Sequence, residues 1–367
     1  MIVVSGILRT ALRIASFALA ALTLTAAFGG HIDPRIWAFP SILALVYPYL
    51  AILTLAVAVA WLIARRWITA AICGGSLLFG SAALFTNFPL GSPSEPEPGE
   101  KTFTLLTFNI AHGHDVRHRD QSTHRTLRYI VGSGADVVCT QELMGMADEG
   151  LPPIPQSLRD SLNARYPYIV HAPYTDQTVF SRFPLKVAER DERTTAWPHR
   201  WSRFTARIHG RDVTLIVVHL ASYMLSREER QVISNVRGPR SARRSVAEFK
   251  GSVYGKLKAA YRERADDADQ LRRQIEKTSG PLLLCGDFND VPASWTYRIV
   301  RGEDLMDAYT QTGMGMMVTY NLFNLYFHID QVFYRPDGGL RALSTRKGDI
   351  DSSDHYPVLA RFALSPP

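Results

Sequence analysis

Eight polar side chains in the second part of the sequence follow or interrupt short apolar runs, which is where site residues of layered α/β proteins collect. Carboxylate and amide oxygens can hold a hard cation, and a histidine can move a proton near neutral pH. Each position alone also fits a turn, an edge strand or a core histidine, but all of them in one chain favour a shared site. These residues are Asn109, Glu142, His219, Asp287, Asn289, Asp330, Asp354 and His355.

The stretch Leu282–Asp290 shows the pattern most clearly. Its letters are LLLCGDFND, so four apolar residues run into a glycine and then two polar side chains at alternate positions. It predicts a buried strand that ends abruptly, with Asp287 and Asn289 on one face because strand side chains two apart share a face. A turn after a core strand is the alternative, since Gly, Asp and Asn are common turn formers.

Hydrolysis of a phosphoester is the chemistry that this set favours. A phosphodiester is anionic and repels an attacking hydroxide, and a hard cation held by carboxylate and amide oxygens neutralises that charge. Carboxylates without the Cys/His spacing of a structural zinc site predict Mg²⁺ or Mn²⁺ as the cofactor. The three cysteines give no disulfide framework, and free buried thiols are expected.

Short apolar or β-branched runs alternate with helical stretches from residue 102 onward. Many short strands with few helices predict two packed sheets with helices outside. The expected fold is α/β, a four-layer α/β sandwich of two packed, mostly antiparallel sheets, preceded by three transmembrane helices. The expected strands are Thr102–Phe108, Asp136–Thr140, Tyr168–Val170, Thr178–Ser181, Leu185–Glu189, Phe204–His209, Val213–Val218, Leu282–Cys285, Ile329–Tyr334 and Val358–Phe362, and the expected helices are Ser122–Gly132 and Leu158–Tyr166.

Residues 1–90 form a membrane anchor in this interpretation. Apart from His31, no charged residue interrupts the runs Ile14–Ile32, Ile36–Ala64 and Trp67–Ser94. Since a helix needs about 20 apolar residues to cross a bilayer, they predict three transmembrane helices at roughly 10–30, 40–63 and 67–88. A cleaved signal peptide remains an alternative for the first run, and a buried hairpin of a soluble protein is an alternative for the whole segment.

The arginines of this segment predict its orientation. Arg9 and Arg13 precede the first span, and Arg65 and Arg66 separate the second from the third. Both pairs fall on one side of a three-span chain, as the positive-inside rule expects of the cytoplasmic side. The protein is therefore predicted to be an integral protein of a bacterial inner or plasma membrane, with its catalytic domain outside the cytoplasm.

A Pro-rich, acidic linker at residues 91–100 is expected to form an extended spacer before a domain at residues 101–367. Within that domain, residues 226–280 carry 14 Lys/Arg against 8 Asp/Glu, which is most of the net charge of +7. Apolar residues recur there at three- and four-residue spacing from Val246 to Ile275 and predict an amphipathic helix. A solvated charged face is the alternative to binding a phosphate-rich partner or the bilayer surface.

Six motifs in this order, LLTFN, TQE, VVHL, GDFN, HIDQ and SDHYPV, resemble those of the endonuclease/exonuclease/phosphatase superfamily of metal-dependent phosphoesterases. The resemblance spans Thr102 to Phe362 and is closest to membrane-anchored bacterial members. Abasic-site endonucleases of the superfamily have a tyrosine at a position that falls in Thr178–Phe183, where this chain reads TVFSRF without one. This difference argues against repair of abasic sites.

The resemblance implies the metal ligands. Glu142 corresponds to the glutamate that holds Mg²⁺ or Mn²⁺. Asn109 corresponds to the asparagine at the end of the first strand, near the metal and the phosphate. Asp354 corresponds to an acidic residue beside the metal.

The resemblance also implies the catalytic groups. Asp287 and Asn289 correspond to the Asp-x-Asn pair that handles the attacking water and a phosphate oxygen. His219 corresponds to a histidine that contacts phosphate. His355 corresponds to the catalytic histidine and Asp330 to the carboxylate that orients it. Whether Asp287 or His355 takes the proton of the water, and whether one metal or two take part, stay open.

The predicted function is divalent-metal-dependent hydrolysis of a phosphoester, preferably a phosphodiester, by a membrane-anchored domain outside the cytoplasm. The substrate would be nucleic acid or a phospholipid headgroup, the membrane would be contacted through the N-terminal helices, and no obligate protein partner is evident. The basic insert favours an endonuclease or exonuclease, whereas the anchor favours a phospholipid or sphingomyelin phosphodiesterase. A phosphatase is a third alternative, and a catalytically silent binding module is a fourth of a different class.

Overall fold

The structure is a computed structural model that describes residues 2–113, 115–116, 124–143, 154–188, 200–223, 253–322 and 325–366. From Lys101 onward, two six-stranded sheets face each other across a shared apolar core. A short hairpin of strands β10 (Tyr320–Leu322) and β11 (Leu325–Phe327) forms a separate two-stranded sheet.

The first sheet contains β1 (Lys101–Asn109), β2 (Val137–Gln141), β3 (Tyr168–His171), β4 (Thr178–Ser181), β13 (Leu340–Lys347) and β14 (Val358–Leu364). Their order across the sheet is β13-β14-β1-β2-β4-β3. Of the pairs in this sheet, β1 with β2 is parallel and the others are antiparallel.

The second sheet contains β5 (Leu185–Val187), β6 (Trp201–Ile208), β7 (Arg211–His219), β8 (Leu282–Asp287), β9 (Met306–Asp307) and β12 (Asp330–Tyr334). Their order is β5-β6-β7-β8-β12-β9. Here β7 with β8 is parallel and the other pairs are antiparallel. Each sheet therefore has one parallel pair near its centre, and parallel strands bring their carboxyl ends to the same edge.

Helices cover the outer face of each sheet. Apolar side chains of α6 (His124–Gly132) and α7 (Gln156–Arg165) pack against the first sheet, and those of α8 (Tyr254–Glu276) and α9 (Trp295–Arg301) pack against the second. A short helix, α10 (Ala308–Thr312), follows β9. This arrangement confirms the predicted four-layer α/β sandwich of two packed, mostly antiparallel sheets.

The core between the sheets contains both strand cysteines, Cys139 and Cys285, as free buried thiols. The rings of Phe103 and Phe362 stack across β1 and β14 with centroids 5.7 Å apart. Burying one such side chain stabilises a fold by roughly 1.5–3 kcal/mol, so this continuous apolar layer holds the strand ends in place.

Nine of the ten predicted strands correspond to observed strands with one or both ends shifted, and Thr178–Ser181 matches β4 at both ends. Strands β9, β10, β11 and β13 and helices α9 and α10 were not predicted. Strand β13 reads LRALSTRK, in which arginine, serine and lysine interrupt the apolar alternation. Seven of its residues pair with β14, with a register shift between Ala342 and Ser344, and this pairing supplies the stability that its composition lacks.

Five helices precede the domain in the described residues. They are α1 (Ile2–Ala27), α2 (Phe39–Ala44), α3 (Tyr47–Ile63), α4 (Trp67–Phe79) and α5 (Ser81–Asn87). By length and composition, one of these helices, over Gly6–Ala27, could cross a bilayer, and α4 with α5 could do so if the two, bent by 68°, count as one span. The prediction of three transmembrane helices is therefore wrong in number.

The apolar runs are broken at particular residues. The second run divides between α2 and α3 at Leu45–Val46, just before Pro48, which leaves α3 with 17 residues. At 1.5 Å a residue that helix is about 26 Å long, short of the roughly 30 Å of a hydrocarbon core. The third run divides at Gly80, between α4 and α5. Hydropathy alone does not register these breaks.

Hydrogen bonds show that α1 and α3 run antiparallel to each other. Trp61 Nε1 donates to Ser16 Oγ at 2.8 Å, and the hydroxyls of Thr23 and Thr54 are 2.7 Å apart. Residues near the start of α1 therefore lie beside the end of α3. This pairing brings Arg9 and Arg13 to the same end of the helix group as the turn at residues 65–66.

The segment after α5 lies along the domain. Ser94 N donates to Leu343 O at 2.8 Å, and Arg341 pairs with the Glu100 carboxylate at 2.6 Å. The basic insert predicted at residues 226–280 falls partly outside the described residues, which resume at residue 253. Its described part is the long helix α8. The apolar stripe of α8 packs on the second sheet through Ala268, Leu271 and Ile275 and on the N-terminal segment through Leu257 and Tyr261.

Candidate active site

Three of the predicted polar residues, His219, Asp287 and Asp330, lie side by side on three neighbouring strands of the second sheet. The strand register pairs His219 of β7 with Asp287 of β8, and Asp287 with Asp330 of β12. Directly paired residues present their side chains on the same face of a sheet. Strand pairing alone therefore brings two carboxylates and an imidazole to one edge, although Asp287 and Asp330 are 43 residues apart in the chain.

The first sheet supplies Asn109 and Glu142 from its own parallel pair. Asn109 ends β1 opposite Gln141 of β2, and Glu142 follows directly. Asn109 Nδ2 donates to Glu142 Oε1 at 3.0 Å and to Asp287 Oδ2 at 3.1 Å. One amide thus connects carboxylates from the two sheets, and the edges of the sheets meet at this point.

The backbone is unusual where these strands end. Glu142 and Asn289 have φ values of 59° and 49°, in the left-handed region that disfavours residues other than glycine. Gly286 has a φ of 139°, and a Cβ there would lie 2.0 Å from the carbonyl oxygen of Val218 on the adjacent strand. Only glycine fits such an approach, which explains the glycine of the GDFN motif. Outliers of this kind cluster at functional sites.

Asn289 fixes the orientation of Asp287. Its backbone N–H donates to Asp287 Oδ1 at 2.7 Å, and its Nδ2 group donates to Leu220 O at 3.0 Å, at the exit of β7. Asp287 is 1% exposed. Its other oxygen, Oδ2, faces Asn109 and the histidines described next.

His355 and Asp330 form a buried dyad. His355 Nδ1 lies 2.9 Å from Asp330 Oδ2, and its Nε2 lies 3.6 Å from Asp287 Oδ2. The ring of Tyr320 meets the imidazole edge-on with centroids 5.1 Å apart. The carboxylate on Nδ1 fixes the tautomer and ring position, so Nε2 is the atom presented to the pocket.

The charges around this dyad set its protonation. Burial alone would lower the pKa of His355, but the charges of Asp330 and Asp287 outweigh burial and hold that pKa well above its usual value. Burial raises the pKa of Asp287, and the charge of Asp330 adds to this effect against the opposing charges of His355 and His219. The pocket therefore pairs a cationic imidazole with a carboxylate that is more basic than usual.

His219 has a partner that the sequence reasoning missed. Its Nδ1 lies 2.6 Å from Asp176 Oδ2, while its Nε2 lies 3.8 Å from Glu142 Oε1 and 3.7 Å from Asp287 Oδ2. Asp176 lies in the loop between β3 and β4, and its backbone oxygen accepts from Leu143 N at 2.9 Å. Asp176 does not follow an apolar run in the sequence, so its neighbours look like those of any residue in a polar turn.

A second missed residue is His112, in the turn after β1. Its Nε2 lies 3.4 Å from Glu142 Oε2, and its side chain is 68% exposed. Its φ of 54° is again in the left-handed region. It lies at the open side of the pocket, where it can contact a ligand that approaches Glu142.

The Asp176–His219 pair predicts a pH dependence. Burial lowers the pKa of His219, but the hydrogen bond and charge of Asp176, together with Asp287 and Glu142, raise it to about 9. His219 therefore stays cationic until the pH approaches that value. We expect Asp176→Asn to move the alkaline limb of the kcat/KM profile down by about 1–2 pH units, because a charged partner typically shifts a pKa by that much.

Profiles measured at one fixed saturating metal concentration check this expectation. Asp212→Asn, at an exposed carboxylate that pairs with Arg207 on the surface, is the matched control and should leave the profile unchanged. An alkaline limb that stays in place in Asp176→Asn would show that the charge of Asp176 does not govern the group that titrates there.

Asp354 lies beside the pocket, but it is less central than the resemblance implied. Ser353 Oγ donates to Asn109 O at 2.8 Å and lies 3.3 Å from Asp354 Oδ1, and it accepts from His355 N at 3.1 Å. Within the described residues, no hydrogen bond or ion pair joins the Asp354 carboxylate to Glu142 or Asn109. Ser353 connects the loop of the catalytic histidine to the end of β1.

The donor set fits a hard divalent cation. Asp287, Asp330 and His355 each offer an atom within 4.8 Å of the others. His355, however, is held cationic between two carboxylates and cannot ligate a metal in that state. The carboxylates of Glu142 and Asp287, joined through Asn109, offer oxygens without this conflict, and Glu142 is 22% exposed at its side chain. The oxygen donors are those of a Mg²⁺ or Mn²⁺ site.

Comparisons with known families match two parts of the chain. The model of the Endonuclease/Exonuclease/phosphatase family matches residues 106–355, a range that includes all eight predicted site residues. A model for a domain of unknown function matches residues 9–87. No curated protein matches the chain.

Solved structures also resemble the domain. D. rerio TDP2, humanized by 14 mutations, is 15% identical, with 71% of this chain and 98% of that chain covered and a TM-score of 0.47. A mannosyl-6-phosphatase of Bacteroides thetaiotaomicron is 13% identical, with 71% and 99% covered and a TM-score of 0.44. An endonuclease/exonuclease/phosphatase of Bacteroides vulgatus is 17% identical, with 72% and 100% covered and a TM-score of 0.44.

Proposed function

Because the chain belongs to the Endonuclease/Exonuclease/phosphatase family, we propose that it hydrolyses a phosphodiester bond with the help of a bound divalent cation. The observation that carries this proposal is the convergence on Asp287 Oδ2. Asn109 Nδ2, His355 Nε2 and His219 Nε2 lie 3.1, 3.6 and 3.7 Å from that oxygen. An amide and two imidazoles thus lie within 3.7 Å of one carboxylate oxygen, an arrangement that would suit the binding of one phosphoryl group.

Glu142, Asn109 and Asp287 would hold Mg²⁺ or Mn²⁺ at the meeting point of the two sheets, with Asp354 beside them. When bound, the cation neutralises charge on the phosphoryl oxygens and polarises the phosphorus centre. Asn289 and His219 would bind the phosphate oxygens. A cationic His219 suits this role because it attracts an anion that neutral imidazole would not.

The arrangement of these groups favours an order of proton transfer. The Asp287 carboxylate, whose Oδ2 faces Asn109 and the two histidines, would accept the proton of the attacking water. His355 is cationic, so its Nε2–H can donate to the departing oxygen as the phosphorus–oxygen bond breaks. Asp330 stabilises the cation and keeps the ring in place. The reaction leaves Asp287 protonated and His355 neutral, and exchange of one proton with water restores both.

The substrate class divides into two candidates. A nuclease is favoured by the basic insert, part of which is the described helix α8. A phospholipid or sphingomyelin phosphodiesterase is favoured by the N-terminal segment, since Asn87 at the end of α5 hydrogen-bonds Pro292 O at 3.4 Å, five residues after Asp287. The anchor and the catalytic strand therefore lie close together.

A location outside the cytoplasm is part of the proposal. The antiparallel pairing of α1 and α3 supports it, because it gathers Arg9, Arg13, Arg65 and Arg66 at one end of the helix group. Such an end lies on the cytoplasmic side by the positive-inside rule. The domain begins after the opposite end, since α5 ends at Asn87.

A substrate panel with and without chelator tests the proposed function. Purified full-length protein is assayed on single-stranded DNA, duplex DNA, RNA, sphingomyelin, phosphoinositides and a phosphomonoester. We expect hydrolysis of at least one diester, its loss in EDTA, and its recovery when Mg²⁺ or Mn²⁺ is restored. Binding without turnover, unchanged by EDTA, would instead identify a binding module. Turnover confined to the monoester would show a phosphatase.

A further inference from the structure

Arg264, in the middle of α8, is an entirely buried arginine next to the proposed pocket. Its guanidinium lies 4.4 Å from the ring centroids of both Tyr223 and Tyr261, which are themselves 5.8 Å apart. Its Nη1 donates to Ala221 O at 2.7 Å, and its Nε lies 3.7 Å from Asp290 Oδ2. A buried charge is costly unless it is paired, so these contacts hold the side chain in one position.

The two groups that Arg264 contacts belong to the segments that follow β7 and β8. Ala221 O is adjacent in the chain to Leu220 O, which accepts from Asn289 Nδ2 at 3.0 Å. Asp290 is the residue after Asn289. Arg264 and Asn289 therefore tie the same two strand exits together, one from the helix side and one from the pocket side. The separation of these exits sets the distance between the phosphate-binding histidine and the metal-binding carboxylate.

The loop between α1 and α2 docks on the outer side of the same helix. Arg35 donates to Asp266 at 2.9 Å and to Asp269 at 2.7 Å, one helical turn apart along α8. Ile42 of α2 belongs to the same buried apolar cluster as Tyr261. The N-terminal segment thus supports the tyrosine on which Arg264 stacks.

A second contact joins the N-terminal segment to the loop after β8. A Cβ on Gly30 would lie 2.1 Å from Ala293 O, and Arg298 Nε donates to Gly30 O at 2.7 Å. Asn87, which ends α5, lies within hydrogen-bonding distance of Pro292 O. At Gly30 the backbone of the N-terminal loop touches the backbone of the loop after β8, so any larger residue at this position must displace one of these two loops.

We propose that the N-terminal segment is a structural part of the catalytic unit. It contacts the loop after β8 at Gly30 and supports α8 through Arg35, and α8 in turn holds Arg264, so that Gly30 and Arg264 position the exits of β8 and β7. A flexible tether would need neither contact. The inference rests on the proposed function, since it assigns these residues a role in metal binding and turnover at that site.

Arg264→Lys and Gly30→Ala, made in the full-length protein in detergent, test the proposal. Lysine keeps the charge of Arg264, but a single ammonium lacks the planar fork that contacts both rings while donating to Ala221 O. Arg273→Lys, at an exposed position of α8, and Gly75→Ala, with open space around it in α4, are the matched controls. Two readouts are used: Mn²⁺ binding by calorimetry without substrate, and hydrolysis of a small water-soluble phosphodiester that needs no membrane.

We expect both test variants to bind Mn²⁺ at least about 3-fold more weakly and to lower kcat at least about 10-fold, because misplacing a catalytic group by a fraction of an ångström has effects of this size. Partial unfolding would lower kcat by reducing the active fraction, but it would leave the Mn²⁺ dissociation constant of the folded molecules unchanged. The dissociation constant therefore separates positioning from stability. The control variants should match the wild type in both readouts.

Wild-type values of both quantities in Arg264→Lys and Gly30→Ala would overturn the proposal while leaving the proposed function intact. A wild-type protein that binds Mn²⁺ but hydrolyses nothing would overturn the proposed function, and the positioning role would then be judged on Mn²⁺ binding alone. If Gly30→Ala does not fold, Arg35→Gln decides the outcome by the same two readouts, because it removes the ion pairs that join the N-terminal loop to Asp266 and Asp269 of α8.

Discussion

Replacing Asp287 by asparagine is expected to lower kcat/KM for the hydrolysed diester at least about 100-fold, and by as much as about 10⁴-fold. The substitution keeps the shape of the side chain and the hydrogen bond that Asn289 N donates to its Oδ1. It removes the negative charge towards which Asn109, His219 and His355 converge, and an amide cannot accept the proton of the attacking water. The loss should therefore appear in kcat as well as in metal binding.

The matched control for this prediction is Asp212→Asn, at a surface carboxylate of β7 that is 61% exposed. Thermal unfolding should show that Asp287→Asn stays folded, since burial makes the charge of Asp287 costly and its removal offsets the lost attraction to His355 and His219. Turnover within 3-fold of wild type in the folded, metal-loaded variant would exclude Asp287 from the chemistry.

His355→Gln is expected to have the second largest effect, a fall in kcat of about 10²–10⁴-fold, the usual range for loss of a general acid. Glutamine can donate a hydrogen bond but cannot transfer a proton to a departing oxygen. The defect should shrink for substrates whose leaving group is a nitrophenolate, because an acidic leaving group departs without protonation. Measuring kcat for an alkyl and a nitrophenyl diester side by side therefore separates proton donation from simple positioning.

His209→Gln is the control for the second prediction. His209 lies at the far end of β6, where Nε2 contacts Thr102 O at 2.9 Å, away from the pocket. An equal loss of kcat for both leaving groups in His355→Gln would mean that the imidazole positions the substrate and does not act as an acid.

The sequence was sufficient to predict that these polar side chains lie together, because they end or begin regular strands. Asn109, His219, Asp287 and Asp330 each follow or open an apolar run, and pairing registers bring strand ends together without further information. The same logic could not find Asp176. It reaches His219 from a loop, and its neighbours carry no periodic signal, so only the folded backbone shows the contact.

The helices of the N-terminal segment and the strands of mixed composition were harder to predict, for a different reason. Apolar composition predicts burial in lipid or protein equally well, and it does not register where Gly80 and the turn before Pro48 end the helices. Strand β13 is stabilised by its neighbour β14 and has a mixed composition, so tertiary pairing overrode its weak local preference. The N-terminal segment approaches the loop after β8 backbone to backbone at Gly30, and no sequence pattern indicates such a contact.

The location of Mn²⁺ in a crystal of the full-length protein tests the central claim most directly, because the anomalous signal identifies the ion independently of any activity. The account predicts a Mn²⁺ peak between the carboxylates of Glu142 and Asp287, beside Asn109, that is lost in Glu142→Gln. A catalytically active crystal form saturated with Mn²⁺ and without an ion in contact with either carboxylate would contradict it.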